Sequence, residues 1–314
     1  MARNINKLKN KLKLMKETKT WSLKSMVLDF LDKNNIVYIL DHNCYDMTFD
    51  IYLKEYNVSI DLCYVDIHNE QHLSLFYDTY TIKNMMHKKA IKCKNLKIHH
   101  MFIWDYMWSN ITKRAVIQNL ILNCCNMSKT KIYARNTYIK VERAFDVREF
   151  FHKNNMQGYR TAKHAISLYD KVTNEMIMSY AIGHAYFGKG KYDLEIARGA
   201  CKLGYYVIGG PSKLWKFITT EYAPNKSIVY YVDLNYYSGR SLDMLCKQFN
   251  DMKYITSKNS FKNWFVEEQV MHNRDPKHHK EIQQLVNEGL VKTCYDAGSL
   301  VYVYKSSNIQ NDLR

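Results

Sequence analysis

No two cysteines in this chain stand in a Cys-x-x-Cys arrangement, although there are eight of them among 314 residues. Cys124 and Cys125 are adjacent and most of the others lie inside apolar runs. That is the setting of reduced core thiols, not of a disulfide framework or a zinc module. The apolar runs are themselves short. None is long enough to span a membrane, and no secretory signal pattern is present. The expectation is a soluble, intracellular protein with no membrane partner. Acidic side chains are the other scarcity: Asp and Glu number 30 against 46 Lys and Arg, a formal net charge of +16. An AT-rich genome, which inflates Lys, Asn, Ile and Tyr, accounts for part of this excess. The rest points to a polyanionic partner, because phosphates neutralised by Lys and Arg release their counterions whatever the sequence.

A chain of 314 residues can bury two ordinary cores. Residues 1–20 read as a basic tail with seven basic side chains against one acidic. Ile5, Leu8, Leu12 and Met15 recur at helical spacing, so Lys7, Lys9, Lys11 and Lys13 would ride on an amphipathic helix. Such a helix could contact phosphates or simply pack one stripe on the domain. A first domain is expected over residues 21–127, and the run Ser128-Lys129-Thr130-Lys131 marks its end. It opens with a helix from Trp21 to Asn34, with Leu23, Met26, Val27 and Phe30 on one face, and a strand from Ile36 to Leu40 follows. Lys83, His87, Lys88, Lys89, Lys92 and Lys94 fall on a basic helix between residues 71 and 94, residues 98–104 make another strand, and Asn110 to Cys124 makes a covering helix.

The chemistry concentrates between Phe49 and Glu70. Ile51 and Leu53 alternate with polar neighbours, Lys54-Glu55-Tyr56-Asn57 turns, and Val58, Ile60 and Leu62 alternate again, which is a hairpin with one buried face. Asp50 opens the first strand, Asp61 lies on the second, and Asp66 and His68 follow the apolar run. Carboxylates converging at the end of a small sheet suit Mg²⁺, and a histidine beside them could move a proton or hold a phosphate. The plainer reading is that these acids are solvated turn residues.

Asp50, Asp61 and His68, with the strand Asn95-Leu96-Lys97-Ile98-His99-His100-Met101-Phe102-Ile103-Trp104 ending at Asp105, resemble the core of the Vsr-like nucleases, a branch of the PD-(D/E)XK superfamily that includes phage homing endonucleases. The resemblance covers most of residues 22–125. It implies a restriction-endonuclease-type mixed sheet, double-stranded DNA as partner, and Mg²⁺ held by Asp50 and Asp61. It further implies that His68 acts as general base or stabilises the leaving group, that Asp105 completes the acidic set, and that Lys88 or Lys89 lies near the scissile phosphate. It also implies a phage-encoded protein working in the host cytoplasm. The pattern is not complete. The first helix offers Asp29 and Asp32 where these nucleases carry a Glu, Cys63 stands where they often have a polar or basic residue, and the histidine expected near residue 86 is His87.

The second half, residues 132–308, predicts a strand over Tyr138 to Val141, a helix over Val147 to Asn154 and strands over Ala165 to Tyr169 and Met176 to Ala181. A helix is then expected from Asp193 to a stop at Gly204, followed by a short strand over Tyr205 to Ile208. Next, Gly209-Gly210-Pro211-Ser212 opens a helix, a place where backbone amides can approach a phosphate. Tyr-Asp-Leu-Glu-Ile-Ala-Arg-Gly-Ala-Cys-Lys-Leu-Gly-Tyr-Tyr-Val-Ile-Gly-Gly-Pro-Ser-Lys-Leu and the closing Glu-Gly-Leu-Val-Lys-Thr-Cys-Tyr-Asp-Ala-Gly-Ser-Leu-Val-Tyr-Val-Tyr-Lys resemble the GNAT-like (acyl-CoA N-acyltransferase-like) module found beside Vsr-like domains. That resemblance implies an α/β fold of the α+β kind in both halves. It makes Gly209, Gly210 and Ser212 the acyl-CoA contacts if acetyl-CoA is bound at all, and Tyr236 or Tyr237 a general acid. Three readings follow: a Mg²⁺-dependent DNA endonuclease of homing type, a GNAT-type acyltransferase using acetyl-CoA, and a DNA-binding protein whose nuclease site has decayed.

Overall fold

Ser22 opens the first described helix: its hydroxyl accepts from the Ser25 N–H at 3.2 Å, and Leu23–Lys33 follows, burying Leu23, Val27 and Leu31 at the i, i+4, i+8 positions of one stripe. The computed structural model describes residues 22–186, 190–258, 262–266, 269–272, 285, 286, 288 and 291–305, with the main chain alone at 266 and 269–272. The basic tail expected over residues 1–20, with Lys7, Lys9, Lys11 and Lys13, lies outside the described residues.

The chain is a mixed α/β protein divided into two compact units. In the first, β1 (Ile39–Cys44), β2 (Met47–Leu53), β3 (Val58–Cys63) and β4 (His99–Trp104) form a sheet in the order β1-β2-β3-β4. β1/β2 and β2/β3 are antiparallel, and β3/β4 is parallel. The helix Thr79–Asn95, capped by Asp78, makes the crossover that a parallel pair requires. The turn between β2 and β3 is a single 3₁₀ turn over Lys54–Tyr56, closed by Asn57 at φ 53°. Asn57 holds that left-handed conformation with its own amide, which accepts from the Tyr52 hydroxyl at 2.8 Å and donates to the Lys97 carbonyl at 3.1 Å.

This unit is discontinuous. It takes the described residues up to Ser109 together with Leu234–Ser238 and those between Asn259 and Gly298. The late segment supplies a sheet of β13 (Lys262–Val266), β14 (Gln269–His272) and β15 (Lys292–Tyr295) in the order β14-β13-β15. Phe265 stacks on Trp104 at 5.9 Å, Tyr295 donates to Glu70 at 3.1 Å, and Lys262 pairs with Glu70 at 3.0 Å. The boundary expected near residues 127–132 is therefore corrected. The helix Ile111–Cys124 belongs to the second unit, and much of what reads as the end of the second domain belongs to the first.

In the second unit, β6 (Thr137–Arg143), β7 (His164–Asp170), β8 (Met176–His184), β9 (Leu194–Cys201), β11 (Ile228–Asp233), β12 (Met252–Lys258) and β16 (Ser299–Tyr304) make a seven-stranded sheet in the order β12-β16-β11-β9-β8-β7-β6. Every contact is antiparallel except β9/β11, which is parallel and registered only over Leu194–Ile196 against Ile228–Tyr230. β5 (Thr130–Tyr133) and β10 (Tyr205–Ile208) form a separate two-stranded parallel sheet.

The helix expected over Asp193–Gly204 is instead the strand β9. Ile196, Ala200 and Gly204 recur at the i, i+4 spacing of a helix, while Leu194, Ile196 and Ala200 share the parity of one strand face. What decides is pairing on both flanks, with β8 and β11. Gly199 settles the local packing: a Cβ there would lie 2.3 Å from the Tyr230 hydroxyl and 3.0 Å from the Tyr180 ring.

On the same strand Glu195, 2 % exposed, accepts from Arg160 at 2.6 Å and from the Tyr186 N–H at 3.0 Å. Arg160→Ala would strip that buried carboxylate of the guanidinium bonded to it, with Arg198 still in electrostatic reach, so a loss of about 3 kcal/mol is expected in urea unfolding. All eight cysteines are free thiols. Among the described residues no helix is long and apolar enough to cross a membrane.

Candidate functional site

β2 and β3 are in register at Ile51 with Ile60, Tyr52 with Ser59 and Leu53 with Val58. Beyond Ile51 a side chain takes over from the main-chain ladder: Asp50 Oδ2 accepts the Leu62 N–H at 2.7 Å. Asp50 is thereby pinned beside the Asp61–Cys63 end of β3.

Asp61 stands at the centre of a connected group. Its Oδ2 is bonded by Lys89 Nζ and lies 3.5 Å from His100 Nε2, while its Oδ1 is buried and has no hydrogen-bond partner. Lys89 reaches in from the helix Thr79–Asn95, donates also to the Thr48 carbonyl at 2.6 Å and lies 5.1 Å above the Phe49 ring. His100, on β4 directly beside Ser59, shares a 2.8 Å hydrogen bond between its Nδ1 and the Ser59 hydroxyl, and its ring meets Phe102 edge-on at 4.4 Å. Burial pushes the Asp61 pKa up, but the His100 contact and the Lys89 ammonium outweigh it, so the carboxyl sits below its ordinary value. Cys63, fully buried, is pushed well up, first by burial and then by the charges of Asp61 and Asp50, both of which lie near it.

A group whose folded pKa is depressed adds stability above its unfolded pKa and loses it as pH falls through the folded one. Urea unfolding of Lys89→Met should therefore show a deficit against wild type above the ordinary aspartate value of 3.8 that closes as pH drops below it. A deficit independent of pH would reject the ion pair as its cause.

His68 and Asp105 form a second group at the ends of β3 and β4. His68 Nδ1 meets the Tyr64 main chain, 3.0 Å from its N–H and 3.2 Å from its carbonyl, and the ring meets Trp104 edge-on at 6.2 Å. Asp105 accepts from its own helix at Tyr106 N–H (2.8 Å) and from Val65 N–H (3.3 Å). Burial raises its pKa, those hydrogen bonds oppose the rise, and the Asp66 charge adds to it. Asp66 itself is paired with Lys292. Tyr64 stands between the two groups, its pKa raised first by burial and also by the charges of Asp50 and Asp105. Asp50 and Asp61 thus both act on Cys63, and Asp105 lies in electrostatic reach of His68 and Asp66.

Of the two candidate lysines, Lys89 reaches the acids, whereas Lys88 is exposed and lies 4.9 Å above the Tyr80 ring. His87 is buried and its Nδ1 contacts the Ala297 carbonyl at 2.8 Å, a packing role. Ser59 and His100 were not signalled by spacing. Both sit in apolar runs, and the only hint is that Ser59 and Asp61 share the parity of one strand face.

Among the described residues no three His, Cys, Asp or Glu side chains are gathered so as to hold a metal ion. Two carboxylates do suffice for Mg²⁺, which keeps several waters and takes further oxygens from a substrate phosphate. Asp50, bonded to the Leu62 N–H on β3, and Asp61, whose buried Oδ1 has no hydrogen-bond partner, are the two carboxylates that fit that requirement.

The glycine turn of the second unit does not fit acyl-CoA in the same way. Gly209 is left-handed at φ 75°, but a Cβ on Gly210 would meet Met178 Sδ at 2.8 Å and Val207 Cγ1 at 2.9 Å, so the space is filled by protein. Ser212 is spent on Gln248 at 2.6 Å, Lys213 donates to the Ala134 carbonyl at 2.9 Å, and Tyr236 is buried at 2 % exposure. No protein-family model matches this chain, and neither does any curated protein.

Proposed function

We propose that this protein is a Mg²⁺-dependent DNA endonuclease of the Vsr-like, homing type, with Asp50 and Asp61 as the metal-holding carboxylates and Lys89 as the lysine of the site. The observation that carries the reading is the Asp50–Asp61–Lys89 arrangement around the open end of β2 and β3. Support also comes from the mixed sheet, three antiparallel neighbours followed by one parallel strand, which agrees with the restriction-endonuclease-type core that the resemblance implies. Cys63 occupies the position two residues after Asp61 where a basic group is common, and Lys89 from the neighbouring helix brings a cation to the same carboxylate.

Mg²⁺ bound there would lower the pKa of a coordinated water and offset charge on the scissile phosphate. The protein's own contribution is positional. Leu62 N–H fixes Asp50, and Lys89 fixes Oδ2 of Asp61, with His100 Nε2 3.5 Å from the same oxygen. Lys89 places a positive charge where charge develops in phosphoryl transfer. His68, anchored at Nδ1 by the Tyr64 main chain, would use Nε2 to take a proton from water or to stabilise the leaving oxygen.

In the second unit the element order and the single parallel contact at β9/β11 agree with a GNAT-like sheet. Its filled glycine turn argues for that sheet as a platform and against acetyl transfer. Nicking and linearisation of plasmid and phage genomic DNA, with Mg²⁺ and with EDTA, tests the nuclease. Metal-dependent cutting that disappears in Asp50→Ala is the expected result. Tight, salt-sensitive DNA binding with no turnover in the wild type would establish the decayed-site reading in its place.

A further inference from the structure

The two-stranded ribbon of β5 and β10 carries a face that the nuclease reading does not use. Its register sets Tyr206 beside Lys131 and Ile208 beside Tyr133. All four are exposed, Tyr133 at 48 % and Tyr206 at 49 %, while Val207 between the outward residues is buried at 6 %. Partners in a parallel pair share a face and alternate residues change face, so the two tyrosines and Lys131 look outward together. Arg135 stacks 4.7 Å from the centre of the Tyr133 ring, and Lys129 is exposed at the foot of β5. Residues 126–136 and 202–213, which hold both strands and their flanks, contain no Asp or Glu.

A rise of ~3.3 Å per residue and a strand spacing of ~4.8 Å put the two rings about 8 Å apart, room for each to take a different base. Glu175, bonded to Lys202 at 2.8 Å and 3.4 Å from the Tyr205 hydroxyl, is an acid at the foot of β10, and the remaining cations, Lys129, Lys131 and Arg135, favour a polyanion, as does the formal net charge of +16. Exposed rings on a shallow two-stranded face select the π-faces of bases, which an intact duplex keeps stacked inside.

We propose that this face binds an unpaired nucleic-acid strand, with bases on Tyr133 and Tyr206 and phosphates on Lys129, Lys131 and Arg135. The inference does not rest on the nuclease reading. Stacking on tyrosine is sequence-tolerant, so the surface would hold a strand without selecting a site.

The test is fluorescence anisotropy of the full chain in EDTA, in an Asp61→Asn background so that cleavage cannot intervene, with oligo(dT) of about twenty nucleotides and a duplex of equal length as probes. Tyr133→Ala and Tyr206→Ala should each weaken oligo(dT) binding about tenfold, Tyr206→Phe should leave it unchanged, and duplex affinity should stay within about twofold. Lys129→Ala with Lys131→Ala should lower the salt slope for oligo(dT) by about 1.4. Because every position is exposed, melting temperatures should not move. Oligo(dT) binding indifferent to both tyrosine changes, or duplex binding that falls in step with it, overturns the proposal. A protein that binds oligo(dT) as described and never cuts DNA leaves this face standing while the nuclease reading falls.

Discussion

Asp61→Asn should lower Mg²⁺-dependent DNA cleavage on the order of a thousandfold, the scale of removing a metal ligand worth several kcal/mol at a reacting phosphate. DNA affinity in EDTA should be unchanged. Asp61 is the side chain on which Lys89 and His100 converge, at Oδ2, and its Oδ1 is left buried without a partner. Asn keeps the shape and can still present its carbonyl oxygen to Lys89, but it removes the charge and replaces one carboxylate oxygen by an NH₂ that cannot ligate a metal. Lys89→Met should cost less, about a hundredfold, because the carboxylates remain and only the cation is lost. The order of the two losses is the informative part. If Lys89→Met were as inactive as Asp61→Asn while DNA binding fell with it, Lys89 would be holding the fold of the site instead of acting in it. A Mg²⁺ titration of each variant separates the cases, since loss of a ligand raises the metal concentration needed for half-maximal cutting and loss of a neighbouring cation does not.

The acidic pair was legible because period-2 alternation places Asp50 and Asp61 on neighbouring strands of one hairpin, and Asn57 marks the turn between them. Lys89 was legible only as one of two lysines, since the choice depends on which side of the helix faces the sheet. His100 was not legible. Its role comes from a hydrogen bond to Ser59, 41 residues away, and the parallel register that brings the two together is a tertiary fact. β9 failed for the same reason in reverse: Ile196, Ala200 and the stop at Gly204 have helical spacing, and strands on both flanks overrode it. The make-up of the first unit lay furthest from view. Nothing local in Phe265 or Tyr295 says that they meet Trp104 and Glu70.

That discontinuity yields the largest expected stability effect. β12 and β16 are antiparallel neighbours, and Lys258 is paired with Ser299, so residues 259–298 leave and re-enter the seven-stranded sheet at adjacent positions. Replacing the whole segment by Asn-Gly would close those strands with a tight hairpin whose twist suits the sheet. The second unit should then keep its fold, read as an unchanged melting transition and retained oligo(dT) binding. The first unit would lose Trp264, 1 % exposed, together with Phe265 against Trp104 and Tyr106, Val291 and Cys294. It would also lose Tyr295 and Lys262 from Glu70 and the Ala297 carbonyl from His87. Removing several large buried side chains at about 3 kcal/mol each exceeds the stability of an ordinary domain. The expected result is a first unit unfolded at 25 °C, with cleavage abolished. If the shortened chain still cut DNA with Mg²⁺, the late segment would be an appendage, and Asp50, Asp61 and Lys89 would need no support beyond residues 22–109 and 234–238.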